Sequence, residues 1–151
     1  MKRVAFRVLG AAGFSAALVI AVAGRASAPP GRYRIADAAV YDTKTKLTWQ
    51  QAVPASTFVQ ADAATYCTTL GLNGARWRLP TSKELITLVD VSVAYPAPTI
   101  DSATFPGTPA DYFWSITPFD GTPGNAWAVS FSYGGPDGYY VSAPHYVRCV
   151  R

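Results

Sequence analysis

The chain has few of the residue types on which most enzymes depend. It contains one histidine, His145, one glutamate, Glu84, and two cysteines, Cys67 and Cys149. A catalytic triad requires a histidine beside a carboxylate and an activated serine or cysteine, and the sequence has no G-x-S-x-G segment. A zinc site requires three or four converging ligands, and the sequence has no histidine spacing motif of that kind. We therefore predict a protein without catalytic activity, metal or cofactor, in which His145 is an ordinary strand residue.

The start of the chain is typical of a secretory signal peptide. Three basic residues come first, an apolar stretch from Leu9 to Ala23 follows, and Ala26-Ser27-Ala28 is a small-x-small cleavage pattern. The apolar stretch is shorter than the roughly 20 residues of a membrane-spanning helix. We predict that residues 1–28 are cleaved and that the mature protein is periplasmic or secreted, in contact with the membrane only if the leader is retained. Cleavage after Gly24 or Ala26 is the alternative.

Removal of the leader abolishes the net positive charge. Four of the 13 lysines and arginines precede Pro29, so nine remain against nine aspartates and glutamates. A nucleic-acid-binding domain needs a clustered basic face, and the sequence shows none. Nucleic acid is therefore excluded as a partner.

The two cysteines are predicted to form a disulfide. A pair of cysteines in a chain that reaches an oxidising compartment is typical of a structural bridge. A redox or nucleophilic thiol would need a C-x-x-C motif or a partnered histidine, and neither is present. Closing the long loop between Cys67 and Cys149 would stabilise a small domain by roughly 4–5 kcal/mol in the chain-entropy model.

The first half of the chain predicts strands followed by two helices. Residues 29–38 are interpreted as a loosely held lead-in to a domain over residues 39–151, which begins with two short strands on either side of residues 42–45. For the first helix, the sequence predicts a cap at Thr57 with Gln60 as its capping-box partner, and an end at Gly71. For the second helix, it predicts a T-x-x-E capping box formed by Thr81 and Glu84.

The second half is rich in proline, glycine and aromatic residues. Strands are predicted over residues 112–116, 126–133, 139–141 and 146–150, joined by loops that proline makes rigid. Trp114 and Trp127 are the predicted core residues among these aromatics. Exposed tyrosines on such loops would form a binding surface at low entropic cost. The candidate ligand contacts are Asp120, Asn125, Asp137, Tyr139 and Tyr140. The alternative for the two tyrosines is that they pack inward. The alternative for the polar residues is that they are solvated turn residues, and they match no calcium-binding loop pattern.

Several segments of the sequence carry a family resemblance. The most specific are "WRLPTSKEL" at residues 77–85 and "YVRCV" at residues 146–150, and "YDTKTKLTWQ" at residues 41–50 comes before both. With these segments in this order, the chain resembles the Lcl C-terminal domain family of exported bacterial domains. The resemblance covers nearly all of the chain after the leader.

The resemblance implies a C-type-lectin-like α+β fold, with two short helices packed on small antiparallel sheets, long ordered loops and one disulfide between Cys67 and Cys149. It also implies a binding or adhesion role toward an extracellular or cell-surface glycan or protein. The E-P-N, Q-P-D and W-N-D motifs of calcium-dependent lectins are absent from the sequence. The alternatives are an enzyme or enzyme-accessory domain related to formylglycine-generating enzymes, and a structural domain that assembles with itself.

Overall fold

The computed structural model describes residues 28–96 and 98–151, so nearly all of the predicted signal peptide lies outside the described residues. Two antiparallel three-stranded sheets have the strand orders β1-β2-β3 and β4-β5-β6, and both α-helices lie between them in sequence. No helix in the described part of the chain is long and apolar enough to cross a membrane. The elements are β1 (Tyr33–Ala36), β2 (Ala39–Asp42), β3 (Thr48–Gln50), α1 (Gln60–Thr69), α2 (Ser82–Ile86), β4 (Tyr112–Pro118), β5 (Asn125–Ser130) and β6 (Pro136–Tyr140).

The segment predicted to be loosely held contains strand β1. Tyr33 pairs with Asp42 of β2, and the strand continues in antiparallel register to Ala36. Arg32 holds the start of this strand, because its guanidinium bonds to the buried carboxylate of Asp42 at 3.0 Å and to the Thr87 carbonyl at 2.6 Å. Arg32, Tyr33, Arg34 and Ile35 do alternate polar and apolar side chains, but the run is short and Ile35 is exposed, so a burial pattern is too weak to predict this strand.

Helix α1 begins later than predicted, and its predicted cap is wrong. The residue before the helix is Val59, and no side chain caps the first turn. The main chain of Phe58 pairs with His145, and this pairing keeps residues up to Val59 extended. Gln60 closes no capping box, and its side-chain amide instead donates to the carbonyl of Ser115 at 2.9 Å.

The other helix signals are confirmed. Gly71 follows α1 in the left-handed conformation, with φ at 58°, which favours glycine. At α2, the Glu84 amide donates to Oγ1 of Thr81 at 3.2 Å, while the Thr81 amide donates to the Glu84 carboxylate at 2.8 Å. Hydrogen bonding to Arg78 lowers the pKa of Glu84 to about 2, so this carboxylate stays ionised in its structural position.

The predicted disulfide is present. Cys67 of α1 and Cys149 near the chain end are bonded and fully buried, with their Cα atoms 5.4 Å apart. One cluster of the core surrounds this bridge and includes Trp77 and Trp114. A second cluster packs the first sheet and α2 against the other face of the second sheet. The structure is thus a small α+β domain with two sheets, two helices and one disulfide.

Two predictions for the second half are wrong in detail. Trp127 is not a core residue: it is half-buried and packs on Phe119, with ring centroids 4.5 Å apart. The small residues Ala126 and Ala128 face the disulfide cluster instead, and Trp127, which lies between them in the strand, points to the opposite face. Residues 146–150 form no continuous strand but make isolated bridges. Val150 pairs with both Trp49 and Arg78 and so joins separate parts of the fold.

Candidate ligand-binding surface

Four of the five predicted ligand contacts lie on the two faces of the second sheet, and the fifth, Asp120, lies in the turn between β4 and β5. In β6, Asp137 and Tyr139 lie opposite Ala128 and Ala126 of β5, on the face that packs toward α1. Tyr140 lies opposite Asn125, on the other face. Asn125 and Asp120 also line a cavity of about 410 Å³ in the turn between β4 and β5. Asp137 and Tyr139 are therefore one candidate group, and the three residues around the turn are another.

The first group is joined by two tyrosines that the sequence analysis did not select as contacts. The ring centroid of Tyr112 lies 4.6 Å from that of Tyr139 and 6.2 Å from that of Tyr133, and both pairs meet edge to face. Tyr133 is 54% exposed, while the other two tyrosines are half-buried. We call these three tyrosines, with Asp111 and Asp137 at their border, the tyrosine surface. The strand residues of this surface share one face of the sheet. Tyr133 lies beyond the end of β5, so the alternation of side chains along a strand does not predict its position beside them.

His145 packs against two rings of the tyrosine surface, those of Tyr112 and Tyr139. Its imidazole centroid is 4.5 Å from Tyr139, 4.8 Å from Trp114 and 5.5 Å from Tyr112. Its Nε2 atom is buried and has no hydrogen-bond partner among the described residues. Burial lowers the pKa of this imidazole, and the nearby carboxylate of Asp111 acts in the opposite direction. His145 is thus a packing residue whose neutral form suits an aromatic environment.

The tyrosine hydroxyls are held in their neutral form. Burial, followed by the neighbouring Tyr112 side chain, raises the pKa of Tyr133 to about 12. Interaction with Tyr112 and burial also raise the pKa of Tyr139 well above its usual range. At physiological pH both hydroxyls remain available to donate and to accept hydrogen bonds.

The opposite face of β6 is covered by the chain itself only at Gly138, whereas Tyr140 on the same face is 68% exposed. A Cβ atom added at Gly138 would clash with the ring of Phe119, so glycine at this position lets that ring lie directly on the strand. Trp127, the cross-strand partner of Gly138, also packs on Phe119. The turn cavity beyond them is lined by Asp120, Asn125 and their neighbours, and the Oδ1 atom of Asn125 is buried without a partner among the described residues.

The main chain of β6 offers little for a ligand to pair with, although this strand is the edge of its sheet. Pro136 has no N–H group, the N–H of Gly138 donates to Oδ1 of Asp137 at 2.8 Å, and the carbonyl of Tyr140 accepts from Ala143 at 2.8 Å. Pro136, Gly138 and Tyr140 are alternate residues of the strand. The main-chain bonds of Gly138 and Tyr140 go to groups other than β5, which indicates that the main chain at these positions faces away from the sheet. An edge blocked in this way resists the addition of another strand. Recognition at β6 would therefore use side chains.

The fold and this surface define a small disulfide-bonded α+β domain with a partly exposed cluster of tyrosines on one sheet face. A comparison with models of known families matches residues 38–151 to the Lcl C-terminal domain. The chain therefore belongs to the Lcl C-terminal domain family, as the resemblance predicted. No curated protein matches the chain.

Proposed function

We propose that the chain is an exported, non-catalytic binding module of C-type-lectin-like fold that recognises an extracellular glycan or protein ligand through the tyrosine surface. The observation that carries this proposal is the packing of Tyr112 and Tyr139 against His145, with Tyr133 set edge to face on Tyr112 and largely exposed. Tyrosine offers a large apolar face and a polar tip. Because the rings are already held in place, binding would order few side chains.

Export is supported by the disulfide and by the signal-peptide pattern. Disulfides persist in oxidising compartments, and Cys67 and Cys149 are fully buried in the core that they join. A binding role rather than catalysis is further supported by Glu84, the one glutamate. Its carboxylate is bonded to Arg78 and Thr81 at the start of α2 and so already has a structural role.

The test is a screen of the disulfide-bonded protein on arrays of glycans and extracellular proteins, followed by titration of each ligand found. We expect Tyr139→Ala and Tyr133→Ala to weaken binding about tenfold, as for residues at the centre of an interface. Thr43→Ala and Lys44→Ala, in the turn between β2 and β3, are the controls and should bind as the wild type does. Equal affinities for all four folded variants would contradict the proposed site.

A further inference from the structure

The part of the chain that builds the tyrosine surface contains no basic side chain. Between residues 85 and 147 there is no lysine or arginine, and there are five aspartates. Asp101 is buried and bonds to main-chain amides, whereas Asp111, Asp120 and Asp137 are exposed. The chain's remaining charge is mostly basic and lies outside this region. Asp137 acts electrostatically on Tyr133 and Tyr139, and Asp111 on His145, and no basic side chain of this segment offsets these carboxylates.

Two of the exposed carboxylates are neighbours of the tyrosines, one in sequence and one on the same strand face. Asp111 precedes Tyr112, and one of its oxygens accepts the Tyr112 amide at 2.6 Å. Asp137 lies two residues before Tyr139 on the same strand face, and one of its oxygens accepts the Gly138 amide at 2.8 Å. The second oxygen of each carboxylate has no hydrogen bond with the described residues, so each retains an acceptor for a ligand.

We propose that the tyrosine surface binds a lysine or arginine side chain of a protein partner, an inference that rests on the proposed function and names its ligand. Aromatic faces attract cations, and a guanidinium stacks on a tyrosine ring while its N–H groups reach a carboxylate. The chain itself shows this arrangement, because Arg32 lies 4.6 Å from the centroid of Tyr33 and bonds to Asp42. The aspartates would repel an anionic polymer, and the blocked edge of β6 leaves side chains as the means of recognition.

The experiment uses the full exported chain, with its disulfide formed, and three capped peptides that differ in two positions. These positions carry arginine, glutamine or glutamate, and binding is followed by NMR titration at 50 and 500 mM salt. We expect the arginine peptide to bind most tightly and to lose affinity at high salt, where charges are screened. Asp111→Asn and Asp137→Asn should each lower its affinity about twofold to fivefold. Asp62→Asn, at an exposed position of α1, is the matched control and should have no effect.

The outcomes separate this inference from the proposed function. Three results would overturn the proposal of a cationic ligand. They are equal binding of the arginine and glutamine peptides, an affinity that Asp137→Asn leaves unchanged, and no measurable binding of the arginine peptide. If the glutamine peptide binds equally and Tyr139→Ala abolishes that binding, the surface function stands without the charge preference. If the arginine peptide binds and Tyr139→Ala has no effect, both fail. Self-association without peptide that Asp137→Asn abolishes would assign the surface to a second copy and overturn the inference.

Discussion

Arg148 shows how a single residue joins distant parts of this chain. Its guanidinium is fully buried, yet no carboxylate of the described residues pairs with it. Instead it donates to the carbonyls of Gln50 and Gln51 and to the hydroxyl of Thr108, and it lies 4.7 Å from the ring centroid of Phe105. Burial lowers its pKa to about 9, so the group remains charged at neutral pH.

We expect Arg148→Lys to lower the free energy of unfolding by about 2–4 kcal/mol, because an ammonium keeps the buried charge but cannot reach all three acceptors with the geometry of a planar fork. Urea unfolding with the disulfide intact measures the change. Arg76→Lys, at an exposed position, is the control and should unfold as the wild type does. A lysine variant of wild-type stability would show that these bonds contribute little.

The burial of Arg148 was not predictable from its sequence. Charged residues are mostly exposed, and no local feature of residues 146–150 marks this side chain as buried. Its acceptors lie about forty and about one hundred residues away along the chain. By contrast, Thr81, Glu84 and Gly71 were predicted correctly, because each acts on main-chain groups within a few residues.

At the scale of elements, the same distinction separates the two helices. Helix α2 carries its own start signal in a capping box, so the sequence located it. Helix α1 starts where the pairing of Phe58 with His145 ends, and that pairing joins residues 87 positions apart in sequence. Strand β1 was missed for a related reason, since Arg32 and the neighbouring strand hold it and its own residues are mostly exposed.

We expect Thr81→Ala to lower the free energy of unfolding by about 1 kcal/mol, because the Glu84 amide loses the hydroxyl that caps it. Thr81→Ser keeps this acceptor and should cost less. Both changes are measured by urea unfolding. If alanine and serine gave the same stability as threonine, the capping box would be a geometric feature without an energetic role.

At the scale of the whole molecule, the disulfide ties the first helix to the last segment of the chain. It closes a separation of 82 residues, for which the chain-entropy model gives roughly 4–5 kcal/mol. The cysteine count and compartment were enough to predict this bond. They were not enough to predict the tyrosine surface, because Tyr112, Tyr133 and Tyr139 come from three places in the chain and meet only after the second sheet has formed.

The most direct test of the binding account is an amide NMR titration of the labelled, disulfide-bonded protein with a ligand recovered from the arrays. We predict that the shift changes centre on Asp111, Tyr112, Tyr133 and residues 137–139, and that the amides of β1, β2 and β3 stay in place. Binding energy usually concentrates in a few residues of one patch, so the changes should be local. Changes centred on the first sheet, with the amides around Tyr139 unmoved, would contradict the account.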